Sequence, residues 1–223
     1  MPTNPSQVIS RSESSVLATN KLIRNTYTLL SLTLIFSAIT AAAAYFIGAG
    51  RGISLICSFG ALALLWFVLP RTANSAAGLG VVFAFTGLLG FGLGPTISYY
   101  LSIPGGSQVV MTALGGTGVI FLALSGYALT TRRDFSFMGG FLVVGLLVAL
   151  VAMVANLFLS IPALSLALSA AIIMIFSGFI LYDTSRMVNG GETNYIHATV
   201  SLYLSILNIF TSLLHLLGAL SDE

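Results

Sequence analysis

Charged side chains are scarce in this chain: they make up 6% of its 223 residues, while 57% of the residues are hydrophobic. Soluble domains carry about 25% charged residues, because water must solvate their surface. A soluble fold is therefore excluded, and the composition predicts an integral membrane protein. The net charge of +2 and the lack of a basic cluster also argue against nucleic acid as a partner.

Further shortages limit the chemistry that the chain can perform. Cys57 is the only cysteine, which excludes an internal disulfide and a paired-cysteine metal site. The only lysine, Lys21, precedes the first apolar run, so none is available inside the membrane for a retinal Schiff base. The Gly-x-Ser-Gly pattern of an intramembrane serine protease is incomplete in both of its nearest matches, 123–126 and 175–178. Two separated histidines and one buried acid do not make a metal hydrolase. We therefore expect no enzymatic activity and no cofactor.

Long apolar segments divide the chain into seven predicted membrane helices. A spanning helix needs about 20 residues, and the uncharged stretches hold seven of them once they are broken at SIPGGSQ and SIP. The predicted helices lie near 27–48, 53–69, 77–101, 108–130, 135–159, 162–183 and 195–218. Residues 1–18, rich in Ser, Thr and Asn, are predicted to form a disordered polar arm before the membrane domain of residues 19–223. The expected fold class is all-α.

The positive charges predict the orientation of these helices. Lys and Arg concentrate in the cytoplasmic loops of membrane proteins. With the N-terminus in the cytoplasm, one side holds Arg51 alone, and the other side holds Arg11, Lys21, Arg24, Arg71, Arg132, Arg133 and Arg186. This asymmetry predicts a cytoplasmic N-terminus, and an odd number of spans then puts the C-terminus on the periplasmic side.

The seventh predicted helix carries a polar stripe along its whole length. An α-helix turns by about 100° per residue, so six polar side chains lie along one edge of this helix: His197, Ser201, Ser205, Asn208, Ser212 and His215. Lipid cannot satisfy hydroxyl and amide groups, so the stripe is expected to face protein or water. The serines favour helix packing. Asn208 either makes a structural hydrogen bond or lines a cavity, and the sequence leaves both roles open. Each histidine either occupies an interfacial position or takes part in a proton relay.

Asp183 and Arg71 are the charged candidates for a functional site. Asp183 ends the sixth predicted helix, where both the membrane and the helix C-terminus disfavour a negative charge. It either pairs with Arg186, three residues later, or is a buried carboxylate that gates on protonation or binds a cation. Arg71 follows the second predicted helix on the same side. It is either a positive-inside anchor or a latch to Asp183.

Glycines in the third predicted helix indicate close helix packing. Gly90 and Gly94 form a GxxxG pattern, and Pro95 is expected to kink the helix. A nucleotide-binding loop is excluded because no strand precedes this segment and no lysine follows it.

Several motifs in the same order resemble the Bax inhibitor-1 (transmembrane Bax inhibitor motif) family. The sixth helix ends in ILYDTSRMV (180–188) and the seventh contains SLYLSILNIF (201–210). The stretches NTYTLLSLTLIFSAITA (25–41) and TTRRDFSFMGG (130–140) are similar to its bacterial YccA branch. The resemblance covers nearly all of residues 20–220. It implies a seven-helix bundle in which helix seven is central.

The resemblance also implies two possible functions. For the bacterial branch it implies a cytoplasmic-membrane protein that binds and modulates the membrane-anchored AAA protease FtsH. Channel-type relatives instead carry two aspartates that share a proton and close a pH-sensitive calcium leak. The alternative function for this chain is a pH-sensitive leak for calcium or protons through the helix bundle. Asp183 matches the first aspartate, whereas Ser205 stands at the second. The candidate ion or proton site is therefore Asp183, Arg71, Ser205, Asn208 and His197, with Asp183 as the one candidate metal ligand.

Overall fold

A computed structural model of the protein describes residues 5–221, with side chains from residue 17 onward. Seven helices in this part of the chain are long and apolar enough to cross a membrane. They are α1 (Pro5–Ile47), α2 (Arg51–Thr72), α3 (Ala77–Ser102), α4 (Gly106–Thr131), α5 (Met138–Leu159), α6 (Pro162–Val188) and α7 (Tyr195–Ser221). The predicted all-α, seven-helix architecture is thus confirmed, and short connections make consecutive helices antiparallel.

Most helix ends lie close to their predicted positions, and two ends differ from them by at least five residues. Residues 5–18 have helical backbone continuous with α1, where the sequence predicts a disordered arm, and residues 1–4 lie outside the described residues. A helix already nucleated by its apolar part extends at little cost into a polar segment. At the other end of the chain, α6 continues to Val188, so Asp183 lies inside the helix instead of ending it.

The central position predicted for the seventh helix agrees with the packing. α7 is the most buried of the seven spans and packs against α1, α3, α4 and α6. Within the described residues, α2 packs against α3 alone and α5 against α6 alone. The bundle therefore has a core of five helices, with α2 and α5 at its edges.

Glycines of α3 allow α1 to approach closely. The side that a Cβ at Gly90 would occupy is already filled by Ser37 and Thr40 of α1, and a Cβ at Gly94 would overlap Ala44. The predicted role of this GxxxG pattern in tight packing is therefore supported. Pro95, one residue later, lies inside a helix that continues to Ser102.

We expect Gly94→Val to destabilise the bundle, because the added side chain would force α1 away from α3. Overpacking of this kind costs about 1–3 kcal/mol. The measurement is thermal unfolding of the purified protein in detergent. The matched control is Gly115→Val in α4, where a Cβ meets open space. Equal melting temperatures for the two variants would contradict the proposed close contact.

Candidate functional site

Two side chains of the predicted polar stripe on α7 form hydrogen bonds with α6. Ser201 of α7 donates to the Asp183 carboxylate of α6, with 2.5 Å between Oγ and Oδ2. Toward the other end of the pair, Ser169 Oγ and His215 Nδ1 are 2.9 Å apart. Ser201 and His215 are as far apart along α7 as Asp183 and Ser169 are along α6. Both bonds therefore belong to one antiparallel register that extends across most of the membrane.

Asp183 is bound by a hydroxyl group and has no cation against its carboxylate. Its side chain is half-buried between α6 and α7. Arg186, the partner expected from spacing, instead lies 4.0 Å from Glu192 and 5.5 Å from the centre of the Tyr182 ring. Among residues 17–221 the Arg186–Glu192 contact is the only ion pair. Of the two roles that the sequence left open for Asp183, the ion pair with Arg186 is therefore not formed.

Arg71 does not contact Asp183 in this structure. Its side chain is exposed in the last turn of α2 and donates to the Phe67 carbonyl of the same helix. This arrangement is typical of a cation at the membrane surface, which is the simpler of the two roles that the sequence left open. A latch between helices two and six would require Arg71 to leave this position.

Ser205 and Asn208 lie on the stripe but do not bind Asp183. Ser205, at the position where the family resemblance implies a second aspartate in channel-type proteins, is 1% exposed. Asn208 is half-buried, and its Nδ2 donates to the Leu204 carbonyl of its own helix at 2.8 Å. The hydroxyl that reaches Asp183 belongs to Ser201, one turn before Ser205. The sequence pattern contained Ser201 but gave no reason to select it.

His197 lies at the start of α7, with an exposed side chain. Its backbone N–H donates to Asn194 Oδ1 at 3.3 Å, and that of Ile196 donates to the same atom at 2.8 Å. Asn194 thus caps the helix, because its side chain satisfies backbone donors of the first turn. Its Nδ2 also donates to the carbonyl of Ala73 at 3.1 Å, which ties the start of α7 to the loop after α2. The exposed His197 side chain has no relay partner among the described residues, which favours an interfacial position over a proton relay.

A second group of hydroxyls lies beside Asp183 in the chain. Thr184 Oγ1 is 3.4 Å from Ser125 Oγ of α4 and 3.5 Å from the hydroxyl of Tyr27 of α1. Thr26 Oγ1 is the only buried side-chain oxygen or nitrogen without a partner in the described residues. Buried hydroxyls from α1, α4 and α6 therefore accompany the carboxylate at this end of the bundle.

Tyr203 is a buried polar residue that sequence reasoning missed. Its hydroxyl is 2.6 Å from Ser37 Oγ of α1 and donates to the Thr86 carbonyl of α3 at 3.3 Å. The ring is fully buried and forms part of the floor of an apolar cavity of about 530 Å³ between α1, α3 and α4. A tyrosine far from both helix ends could have signalled this role, since tyrosines normally lie at the membrane interface.

Known proteins resemble this chain over nearly its whole length. The sequence profile of the family described as inhibitor of apoptosis-promoting Bax1 matches residues 19–222. The chain belongs to the Bax inhibitor-1 family. A protein of Escherichia coli K12 named modulator of FtsH protease YccA is 52% identical over 96% of this chain and 97% of its own length. An uncharacterised membrane protein of Vibrio cholerae is 49% identical over 93% of each chain.

The site of this Bax inhibitor-1 family member has one carboxylate and is therefore less suited to binding a metal ion than a site with two. Among the described residues, no three His, Cys, Asp or Glu side chains lie close enough to hold a metal ion. Asp183 with one hydroxyl donor can take up or release a proton, but one carboxylate binds calcium weakly because that ion prefers six to eight oxygen ligands. A proton site therefore fits these residues better than a calcium site.

Proposed function

We propose that this chain is a multi-pass protein of the bacterial inner membrane that binds and modulates an FtsH-type protease without being an enzyme itself. The observation that carries the proposal is the 52% identity, over nearly the whole of both chains, to a protein named modulator of FtsH protease. A second sequence that matches equally well is named inner membrane protein YccA.

A mechanism follows from the contrast between the polar arm and the packed bundle. A protease that threads its substrates needs an end that it can unfold, and residues 1–18 have the polar composition of a segment that gains little from packing. The bundle resists extraction, because α7 is held by hydrogen bonds to α1 through Tyr203 and to α6 through Ser201. The chain would then occupy the protease while it is degraded only slowly.

Deletion of residues 2–18 tests this mechanism. We expect the deletion to abolish the slow turnover of the chain by the purified protease in proteoliposomes, since the arm supplies the end that is gripped. Degradation is followed by gel densitometry over time. A chain with a scrambled arm of the same composition is the control and should be degraded at the original rate. Unaltered turnover of the deleted chain would show that the arm is not the handle.

A second candidate function is a proton or cation leak through the bundle. The observation in its favour is the half-buried carboxylate of Asp183, which lies within a membrane span and contacts a hydroxyl instead of a cation. Ionisable groups inside membrane spans are rare, and they often mark ion and proton pathways.

A further inference from the structure

The middle of the α6–α7 contact lacks the polar pairing of its two ends. The register that joins Ser201 to Asp183 and His215 to Ser169 places Phe176 of α6 opposite Asn208 of α7. Asn208 is also the midpoint of α7, which extends from Tyr195 to Ser221. An amide and an aromatic side chain therefore lie at the same level, half-way along the α6–α7 pair.

The Asn208 amide keeps unused hydrogen-bonding capacity. A carboxamide offers two N–H donors and one oxygen acceptor. In the described structure the only hydrogen bond of this side chain runs from Nδ2 to the Leu204 carbonyl, and Oδ1 has no partner. Oδ1 is also not sealed in the core, since Thr26 Oγ1 is the only fully buried unpaired polar side-chain atom among the described residues. Asn156 of α5 shows the contrast, because both its Nδ2 and its Oδ1 are bonded.

Asn208 lies on an edge of α7 that other helices leave open. The partly or fully exposed residues of this edge are Leu204, Asn208, Thr211 and His215. Since α5 packs only against α6 within the described residues, α5 and α7 form the walls of a groove whose floor is α6; we call it the seam groove. At the His215 end it widens into a cavity of about 670 Å³, lined partly by Asn156 and Ser169.

The depth of the Asn208 amide in the membrane indicates what kind of molecule binds in the seam groove. The centre of α7 is about 20 Å from either helix end, at the depth of the acyl chains. An acyl chain that filled the seam groove would leave Oδ1 unsatisfied, because it has no donor to offer. A second transmembrane helix that carries a donor side chain at its own midpoint would satisfy Oδ1 and cover the exposed edge of α7.

We propose that the seam groove binds a transmembrane helix of the partner protease and that Asn208 Oδ1 accepts a hydrogen bond from a donor at the middle of that helix. This inference rests on the proposed function, since it supplies the membrane contact of the same complex. The seam groove and the N-terminal arm have different roles in this proposal. The protease grips the arm to degrade the chain, whereas the seam groove determines where the two proteins contact each other in the bilayer.

The first test compares the affinity of variants for the purified protease, with both proteins reconstituted in nanodiscs. Asn208→Leu should weaken binding by about threefold to tenfold, the value of one hydrogen bond between membrane helices. Thr211→Val, on the same edge, is the matched control and should bind within twofold of the wild type, since the Thr211 hydroxyl already donates to the Leu207 carbonyl. Asn208→Leu should not lower the melting temperature of the isolated chain, because Asn208 makes no bond to another helix of the described bundle. Equal affinities, or a loss of stability that accounts for the weaker binding, would overturn the proposal.

The second test uses a photo-crosslinking amino acid at position 208 and, as a control, at Met174, which is 70% exposed elsewhere on α6. Position 208 should crosslink to a membrane segment of the protease, and position 174 should not. Crosslinks from position 208 to lipid only, or to a second copy of this chain, would overturn the inference. If the wild-type chain does not bind the protease, the proposed function fails. If it binds and only the changes in the seam groove have no effect, this inference fails alone.

Discussion

Replacing Tyr203 with alanine is expected to lower the free energy of unfolding by about 3–5 kcal/mol, as truncations of large buried aromatic residues do. The ring is fully buried and packs edge-on against Phe85, with 6.0 Å between ring centres. Its loss would enlarge the neighbouring cavity of about 530 Å³ and remove the hydroxyl shared with Ser37. The measurement is reversible unfolding in mixed micelles of increasing denaturing-detergent fraction.

Two further variants separate the ring of Tyr203 from its hydroxyl. Tyr203→Phe keeps the ring and should cost about 0.6–2 kcal/mol, the value of hydrogen bonds between membrane helices. Tyr99→Ala removes a tyrosine that is 51% exposed and should cost little by comparison. If Tyr203→Ala were no more harmful than Tyr99→Ala, α7 would not be held to α1 and α3 in the way described.

Most of the fold could be predicted because membrane helices are defined by length and hydropathy. Each of the seven predicted segments overlaps an observed span, and the predicted breaks near residues 102–108 and 160–162 coincide with the loops before α4 and α6. The helix ends were less certain, because polar residues tolerate helical structure once an apolar segment has nucleated it. For this reason α6 passes Asp183 and ends at Val188.

The candidate site was predicted in part, because spacing along one helix does not give the register between two helices. The stripe on α7 was visible in the sequence, but its hydrogen-bond partners on α6 were not. Which hydroxyl meets Asp183 depends on how far α6 and α7 are shifted, and the structure selects Ser201 over Ser205. Helical spacing allowed Arg186 to pair with Asp183, but Arg186 instead lies against Glu192 in the following loop. No sequence period could have revealed that choice.

The second large effect is expected in ion flux if the leak operates. Asp183→Asn should abolish the pH dependence of flux into liposomes between about pH 5 and 8, because the amide can still accept the Ser201 hydrogen bond but cannot ionise. One titrating carboxyl can change the population of a state by at most about tenfold per pH unit. The wild-type flux should therefore change by up to about tenfold per pH unit. The flux through the variant should not change with pH.

A control variant separates Asp183 from the other acids on its side of the bundle. Glu192→Gln removes the charge that pairs with Arg186 but leaves the Asp183–Ser201 bond in place, so its profile should follow the wild type. Asp134 needs no variant. Hydrogen bonds from Ser136 lower the pKa of its exposed carboxyl below the usual 3.8, and they stabilise its charged form. That stabilisation is complete above pH 3.8 and is lost only as the pH falls through the lowered value, outside the measured range.

The outcome of the flux experiment bears on how the two candidate functions relate. A leak gated by Asp183 would need α6 and α7 to separate at the Ser201 bond. In the proposed regulator, the same bond helps the bundle to resist extraction by a protease. The two functions therefore make opposite demands on the same hydrogen bond. Identical profiles for wild type and Asp183→Asn would remove Asp183 from gating. The Ser201 bond would then be a structural contact that keeps α7 in the bundle, as the proposed regulator requires.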